Sequence, residues 1–125
     1  ELARAHAAFP ELADLAAQLR AGWPARRFTV GQVSAEVVEA DARTALPAWA
    51  GQADAWFLDG FSPARNPELW GEDLMAQVAA HTAPGGSFAT YTAAGHVRRA
   101  LAAAGFAVTR APGFAGKRHM SRGQL

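Results

Sequence analysis

Leu2, Phe9, Leu12, Leu15, Ala16 and Leu19 recur at roughly helical spacing, so residues 1–21 are predicted to be helical. Pro10 splits the run in two, because an internal proline removes a backbone donor and crowds the preceding turn. Gly22 and Pro24 stop it. The pattern then shortens to β-branched runs, RRFTV and AEVVEAD, around the Gly31 turn, which predicts a hairpin or two adjacent strands. ARTALPAWA after Asp41 reads as a short helix, and DAWFLD as a buried strand ending at Asp59. NPELWGEDLMAQVAAHT reads as a helix with Asn66 as N-cap, Pro67 in its first turn and Leu74, Met75, Val78 and Ala79 on one apolar face. APGG is expected to be a turn and SFATYT a strand; HVRRALAAAG is expected to be a helix ended by Gly105. FAVTRAP and KRHMSRG are expected to be two more strands joined through the Gly113–Gly116 loop. Strands alternating with helices, without a long linker or internal repeat, indicate an α/β sheet.

Composition narrows the possibilities. The 125 residues, half of them hydrophobic and 18% charged, fit one globular domain with a real core. No apolar run approaches the ~20 residues of a membrane span. The N-terminus has no signal-peptide pattern, and with no Met at position 1 the chain reads as cut from something larger. The absence of cysteine excludes disulfides, thiolate nucleophiles and Cys-zinc sites, and permits a cytoplasmic home. His6, His81, His96 and His119 show no metal spacing, so no metal site is expected.

A net charge of +1 conceals an asymmetry. Residues 1–73 hold all 11 acids and six Arg, whereas residues 74–125 hold five Arg, one Lys and no acid. A basic half without counter-charges suggests an anionic partner such as nucleic acid, or else a merely solubilising surface.

Candidate chemistry gathers at strand ends, where open α/β sheets bind ligands. Asp41 follows EVVEA and Asp59 follows AWFL. A carboxylate there can accept hydrogen bonds from an amine or a ribose hydroxyl, or it can cap the next helix. For Asp59 the capping role is weaker, because Gly60, Pro63 and Pro67 come before any helix. Gly60 allows close backbone approach, and the prolines fix the loop's path. Phe61 and Trp70 can stack on a base, wall off solvent or pack in the core. Tyr91 and Thr92 end the next strand and should lie beside Asp59 if the two strands are neighbours. In GFAGKRHM, Lys117 and Arg118 can hold phosphate or lie on a solvated strand.

DAWFLDGFSPARNPELW, APGGSFATYTAAGHVRRALAAAGF and GFAGKRHM together resemble the methyltransferase domain of MnmC, and AFPELADLAAQLRAGWP is similar to the helix before that domain's hairpin. The resemblance covers nearly the whole chain, and D-G-F-S-P-x-x-N-P-x-x-W is a specific signature. It implies a Rossmann-like class I fold using S-adenosylmethionine. The implied reaction is N-methylation of the aminomethyl group on the wobble uridine of transfer RNA, completing 5-methylaminomethyl-2-thiouridine in the cytoplasm. In two-domain members an FAD-dependent oxidase domain supplies that amine, and nothing of it is present here; single-domain relatives carry only the methyltransferase.

By the same resemblance, Asp41 would face the cofactor's adenine and Ala42 would give a backbone contact there. Asp59 would lie between cofactor and target amine, as the catalytic residue, with Gly60, Phe61 and Pro63 lining that mouth. Asn66, Pro67 and Trp70 would shape the substrate side, and Lys117 and Arg118 would help hold RNA. The family's first strand, glycine-rich cofactor loop and ribose-binding acid have no counterpart in residues 1–125, so the chain reads as the C-terminal part of one such domain. Two alternatives stay open: a non-catalytic nucleic-acid- or partner-binding remnant of the fold, and a related methyltransferase acting on another amine.

Overall fold

A computed structural model describes residues 2–125. Contacts divide them into two compact units, one ending at Ala40 and one beginning at Asp41.

In the first unit, α1 (Leu2–His6) and a 3-10 helix (Pro10–Leu12) precede α2 (Ala13–Gly22). The break falls at Pro10, as its chemistry requires. β1 (Arg27–Val30) and β2 (Val33–Glu36) form an antiparallel hairpin with Arg27 opposite Glu36. Gly31 turns it in the left-handed region (φ 58°), and its N–H donates to Gln18 Oε1 at 2.8 Å. A Cβ on Gly22 would come within 2.7 Å of the Phe28 ring, so α2 and β1 meet only because glycine stands there. β2 stops at Glu36, where its partner strand runs out. Asp41 therefore follows five residues beyond the strand and does not end it.

The second unit carries α3 (Ala42–Ala48), β3 (Ala53–Phe57), α4 (Glu72–Ala80), β4 (Thr82–Thr90), α5 (Gly95–Ala103), β5 (Ala107–Pro112) and β6 (His119–Gln124). The sheet order is β3-β4-β6-β5. β3 and β4 are parallel, and β6 runs antiparallel to both β4 and β5. The chain thus winds as a βαβ unit and then slots β6 between β4 and β5.

Three helices pack on the sheet through one cluster. Trp70, Leu74, Met75, Val78 and Ala79 meet Phe88, Val97, Ala100, Leu101 and Phe106, with Ala42 and Leu46 of α3 at its margin. α5 buries Val97, Ala100 and Leu101, the i, i+3, i+4 face of an amphipathic helix. Phe88 and Phe106 meet edge to face at 5.0 Å. Thr82 donates to the Val78 carbonyl at 2.6 Å and accepts from Trp56 Nε1 at 2.9 Å, tying β3 and β4 to the end of α4. His81 stacks on Trp49 and pairs with the Gln77 carbonyl, which gives it a structural place.

Three expectations are corrected. β3 is not a buried strand: it lies at the sheet's edge, and Phe57 on the uncovered face is 88% exposed. APGG lies inside β4; the register slips from Ala53–Thr82 to Ala55–Ser87, so the turn residues form a bulge, with Gly85 at φ 77°. Asn66 makes no side-chain cap; Pro67–Trp70 form a 3-10 helix, and α4 starts separately with Gly71 at its N-cap.

Candidate functional site

Parallel pairing of Phe57 with Ala89 puts Asp59 level with Tyr91 at the carboxyl edge of the sheet. Leu58 N–H extends the ladder to Ala89 O at 2.9 Å, so the strand delivers Asp59 as its pairing ends. The Asp59 carboxylate is exposed and accepts from Gly60 N–H at 2.8 Å. That bond engages one oxygen, and among the described residues the other accepts no hydrogen bond.

The loop beyond is short and tied down. Arg65 and Asn66 N–H both donate to the Ser62 carbonyl, at 2.8 and 3.0 Å, closing a turn around Pro63. A Cβ on Gly60 would lie 2.5 Å from Leu69 Cδ2, so the glycine lets the loop rest on Leu69. Trp70 is 4% exposed, and its Nε1 donates to the Phe61 carbonyl at 2.9 Å. Trp70 is therefore an anchor behind the loop and offers no face to a ligand. Phe61 is 75% exposed and is the aromatic that the loop presents.

Asp41 caps α3, accepting from Arg43 N–H at 2.9 Å. The Arg43 guanidinium also chelates it, with bonds of 2.6 to 3.1 Å. These bonds stabilise the ionised carboxylate and lower its pKa to about 2, Arg43's side chain being the larger cause and its backbone N–H the next. The pair is exposed and adds little to stability. A lowered folded-state pKa contributes stability above the ordinary carboxylate range, lost as pH falls through about 2. Side-chain carbon NMR should give an Asp41 midpoint near 2. A midpoint at the ordinary 3.8 would mean that Arg43 is not engaged.

Two grooves adjoin. One, of about 340 Å³, is lined by Asp41, Ala42, Arg43, Asn66, Glu68 and Leu69. The other, of about 560 Å³, is lined by Asp59, Gly60, Phe61, Asn66 and Leu69. Asn66 and Leu69 belong to both, so they form the ridge between Asp41 and Asp59. Pro63 and Pro67 shape the loop and line neither groove.

Lys117 and Arg118 stand apart from these grooves, in the β5–β6 loop, but at the same edge of the sheet. Among the described residues the ion pairs are Arg26–Glu39, Arg27–Glu36 and Arg43–Asp41, so the six cations of residues 74–125 have no carboxylate partner. Arg98, in the first turn of α5 after β4, has a buried Nε without an acceptor. The described residues hold no cluster of three or more His, Asp or Glu fit for a metal, and no helix long and apolar enough to cross a membrane.

Sequence reasoning missed Leu69 and Arg43. Nothing local marks Leu69 as a ridge. The D-x-R spacing at a helix start did carry a signal for Arg43, since N2 side chains lie beside the cap.

Residues 10–125 match the family model described as S-adenosyl-L-methionine-dependent methyltransferase. The chain is 49% identical over 131 aligned positions to the "tRNA 5-methylaminomethyl-2-thiouridine biosynthesis bifunctional protein MnmC" of Aromatoleum aromaticum, covering 99% of this chain and 21% of that protein. It is 50% identical to the MnmC of Caulobacter sp. strain K31, covering 94% of this chain and 21% of that one. The chain thus spans about a fifth of the length of these curated relatives. The crystal structure of MNMC2 from Aquifex aeolicus superposes with a TM-score of 0.72 at 28% identity, over 82% of this chain and 34% of that one. The βαβ winding with an inserted antiparallel strand is thereby a Rossmann-like methyltransferase fold. With the family model matched over almost all its residues, the chain belongs to the S-adenosyl-L-methionine-dependent methyltransferases.

Proposed function

We propose that this chain provides the substrate-side wall of a transfer-RNA methyltransferase that N-methylates the aminomethyl group of the wobble uridine. The observation that carries the reading is Asp59, an exposed carboxylate held by a strand end and by Gly60 N–H, lining a groove that shares Asn66 and Leu69 with the groove lined by Asp41 and Ala42. The relatives named for 5-methylaminomethyl-2-thiouridine biosynthesis supply the substrate class.

The residues present fit the adenosyl part of S-adenosylmethionine. Ala42 and Leu69 give apolar surface and Ala42 N–H lies at the start of α3, whereas both Asp41 carboxylate oxygens already accept from Arg43. The cofactor's contribution is an electrophilic methyl group on a sulfonium. Asp59 orients the target amine through its free oxygen and takes up the proton that the amine must lose. Phe61 walls the mouth against water, and Trp70 and Pro63 keep that wall in place. Lys117, Arg118 and the unpaired arginines of the basic half hold the RNA backbone without reading its sequence. In the bifunctional relatives, an FAD-dependent oxidase domain would act before this step and deliver the amine.

The test is methyl incorporation from labelled S-adenosylmethionine by the full-length protein into transfer RNA bearing 5-aminomethyl-2-thiouridine. Incorporation at that base is expected. Incorporation into another amine instead would identify a different substrate, and none at all would leave a binding remnant of the fold.

A further inference from the structure

The β5–β6 hairpin carries features that the methyl-transfer site does not use. The β4–β6 ladder ends at the Thr90–Ser121 pair, but β5 and β6 continue through Ala111–Met120 to Pro112–His119. The hairpin therefore rises two residue pairs, roughly 7 Å, beyond β4 before its loop begins. β3 and β5 both end at this edge, three strand spacings apart, so the loop stands roughly 14 Å across the sheet from the end of β3 and Asp59.

The loop is built to hold one shape. Gly113 N–H donates to Arg118 O at 3.2 Å and Lys117 N–H to Phe114 O at 3.1 Å. A Cβ at Gly113 would overlap the Lys117 carbonyl, so only glycine lets the two sides close. Ala115 sits in the left-handed region at φ 49°, the one described non-glycine residue to do so, followed by Gly116 at φ 84°. A residue so placed stores backbone strain, which folded chains tolerate mainly at functional sites and clamps. The product is an aromatic ring in water: Phe114 is 72% exposed, with exposed Lys117 and Arg118 three and four residues on.

An exposed ring in one short loop with exposed cations, and no acid in this half of the chain, is the combination by which proteins take single-stranded nucleic acid. We propose that the hairpin tip is a nucleobase clamp, in which Phe114 stacks on an unpaired base other than the one methylated while Lys117 and Arg118 hold its flanking phosphates. The proposal rests on the transfer-RNA reading above. Sequence-specific RNA recognition favours unpaired loop bases, which can be splayed onto such a ring.

Binding of labelled oligouridine to the protein, followed by fluorescence anisotropy over a salt series, separates the two ideas. Phe114→Ala should weaken binding about tenfold with the salt slope unchanged, because stacking neutralises no phosphate. Phe114→Trp should restore it. Lys117→Ala and Arg118→Ala should each lower the slope by about 0.7. Duplex RNA, whose bases are already stacked, should not distinguish Phe114→Ala from the parent. If the lysine and arginine variants respond but Phe114→Ala stays within about twofold, the clamp is wrong and the RNA reading stands. An equal loss on duplex RNA would also overturn the clamp, as would Phe114-dependent attachment to phosphatidylserine vesicles without any effect on RNA. Absence of salt-dependent binding by the parent protein would overturn the RNA reading and the clamp together. Phe114 is exposed, and circular dichroism of each variant should match the parent.

Discussion

Asp59→Asn should lower the methyl-transfer turnover of the full-length protein by about 10²-fold or more, and Asp59→Ala by a similar factor. The asparagine variant is the sharper experiment. Its amide oxygen can still accept from Gly60 N–H, which the native carboxylate does at 2.8 Å, so the start of the loop keeps its shape. What it loses is the negative charge and the ability to take a proton. Single-turnover rates would show the defect in the chemical step, and the affinity for S-adenosylmethionine should change little. If Asp59→Asn turned over at nearly the parent rate while Asp59→Ala did not, Asp59 would be a loop-positioning residue. Near-normal turnover in both would remove it from the mechanism.

The largest effect on stability is expected from Leu101→Ala. Leu101 is fully buried, on the face of α5 that packs with Val97, Ala100 and Phe106 into the one cluster of the second unit. Truncation removes its transfer free energy and leaves a cavity, together about 2–5 kcal/mol. That is a large share of the ~5–15 kcal/mol that holds an ordinary domain. Urea titration should show a lower midpoint with little change in slope. Ala102→Ser, on the exposed side of the same helix, is the control and should cost well under 1 kcal/mol. A loss below about 1 kcal/mol at Leu101 would mean that α5 does not close the core.

The parts of the fold that sequence revealed are those where one local rule acts alone. Pro10 broke the first helix because no tertiary contact can restore its missing donor. Gly31 turned the hairpin, and Val97, Ala100 and Leu101 marked the inner face of α5 by spacing. Tyr91 was expected beside Asp59 and is level with it, because parallel neighbours fix the register. Local reading failed where partners decide. AWFL looks like a buried strand, but β3 is at the edge of the sheet, and Phe57 points to its uncovered face. EVVEA has strand composition, but only its first residue, Glu36, has a partner in β1. Asn66 has cap chemistry, yet Pro67–Trp70 forms its own tight turn and the helix begins later.

The same holds for the site. The DGF stretch declared a carboxylate on a stiff loop, and that loop is tied as its prolines suggested. Asp41 and Asp59 border adjoining grooves only because Leu69 and Asn66 form a common ridge, which no spacing in the sequence reveals. Trp70 has a plausible stacking ring in sequence, but its Nε1 bond to Phe61 and its burial turn it inward.

The position of β6 has a consequence for how the chain is made. β6 is synthesised after β5 but lies between β5 and β4, which do not hydrogen-bond to each other. As the chain leaves the ribosome, every earlier strand and helix of the second unit is complete while the middle of the sheet is still missing. Until residues 119–124 emerge, β4 shows one bare edge and β5 has no strand to pair with, the condition in which nascent chains pair wrongly with one another. The sheet must therefore close in one late event, and a chain stalled just before His119 is the form most in need of a chaperone.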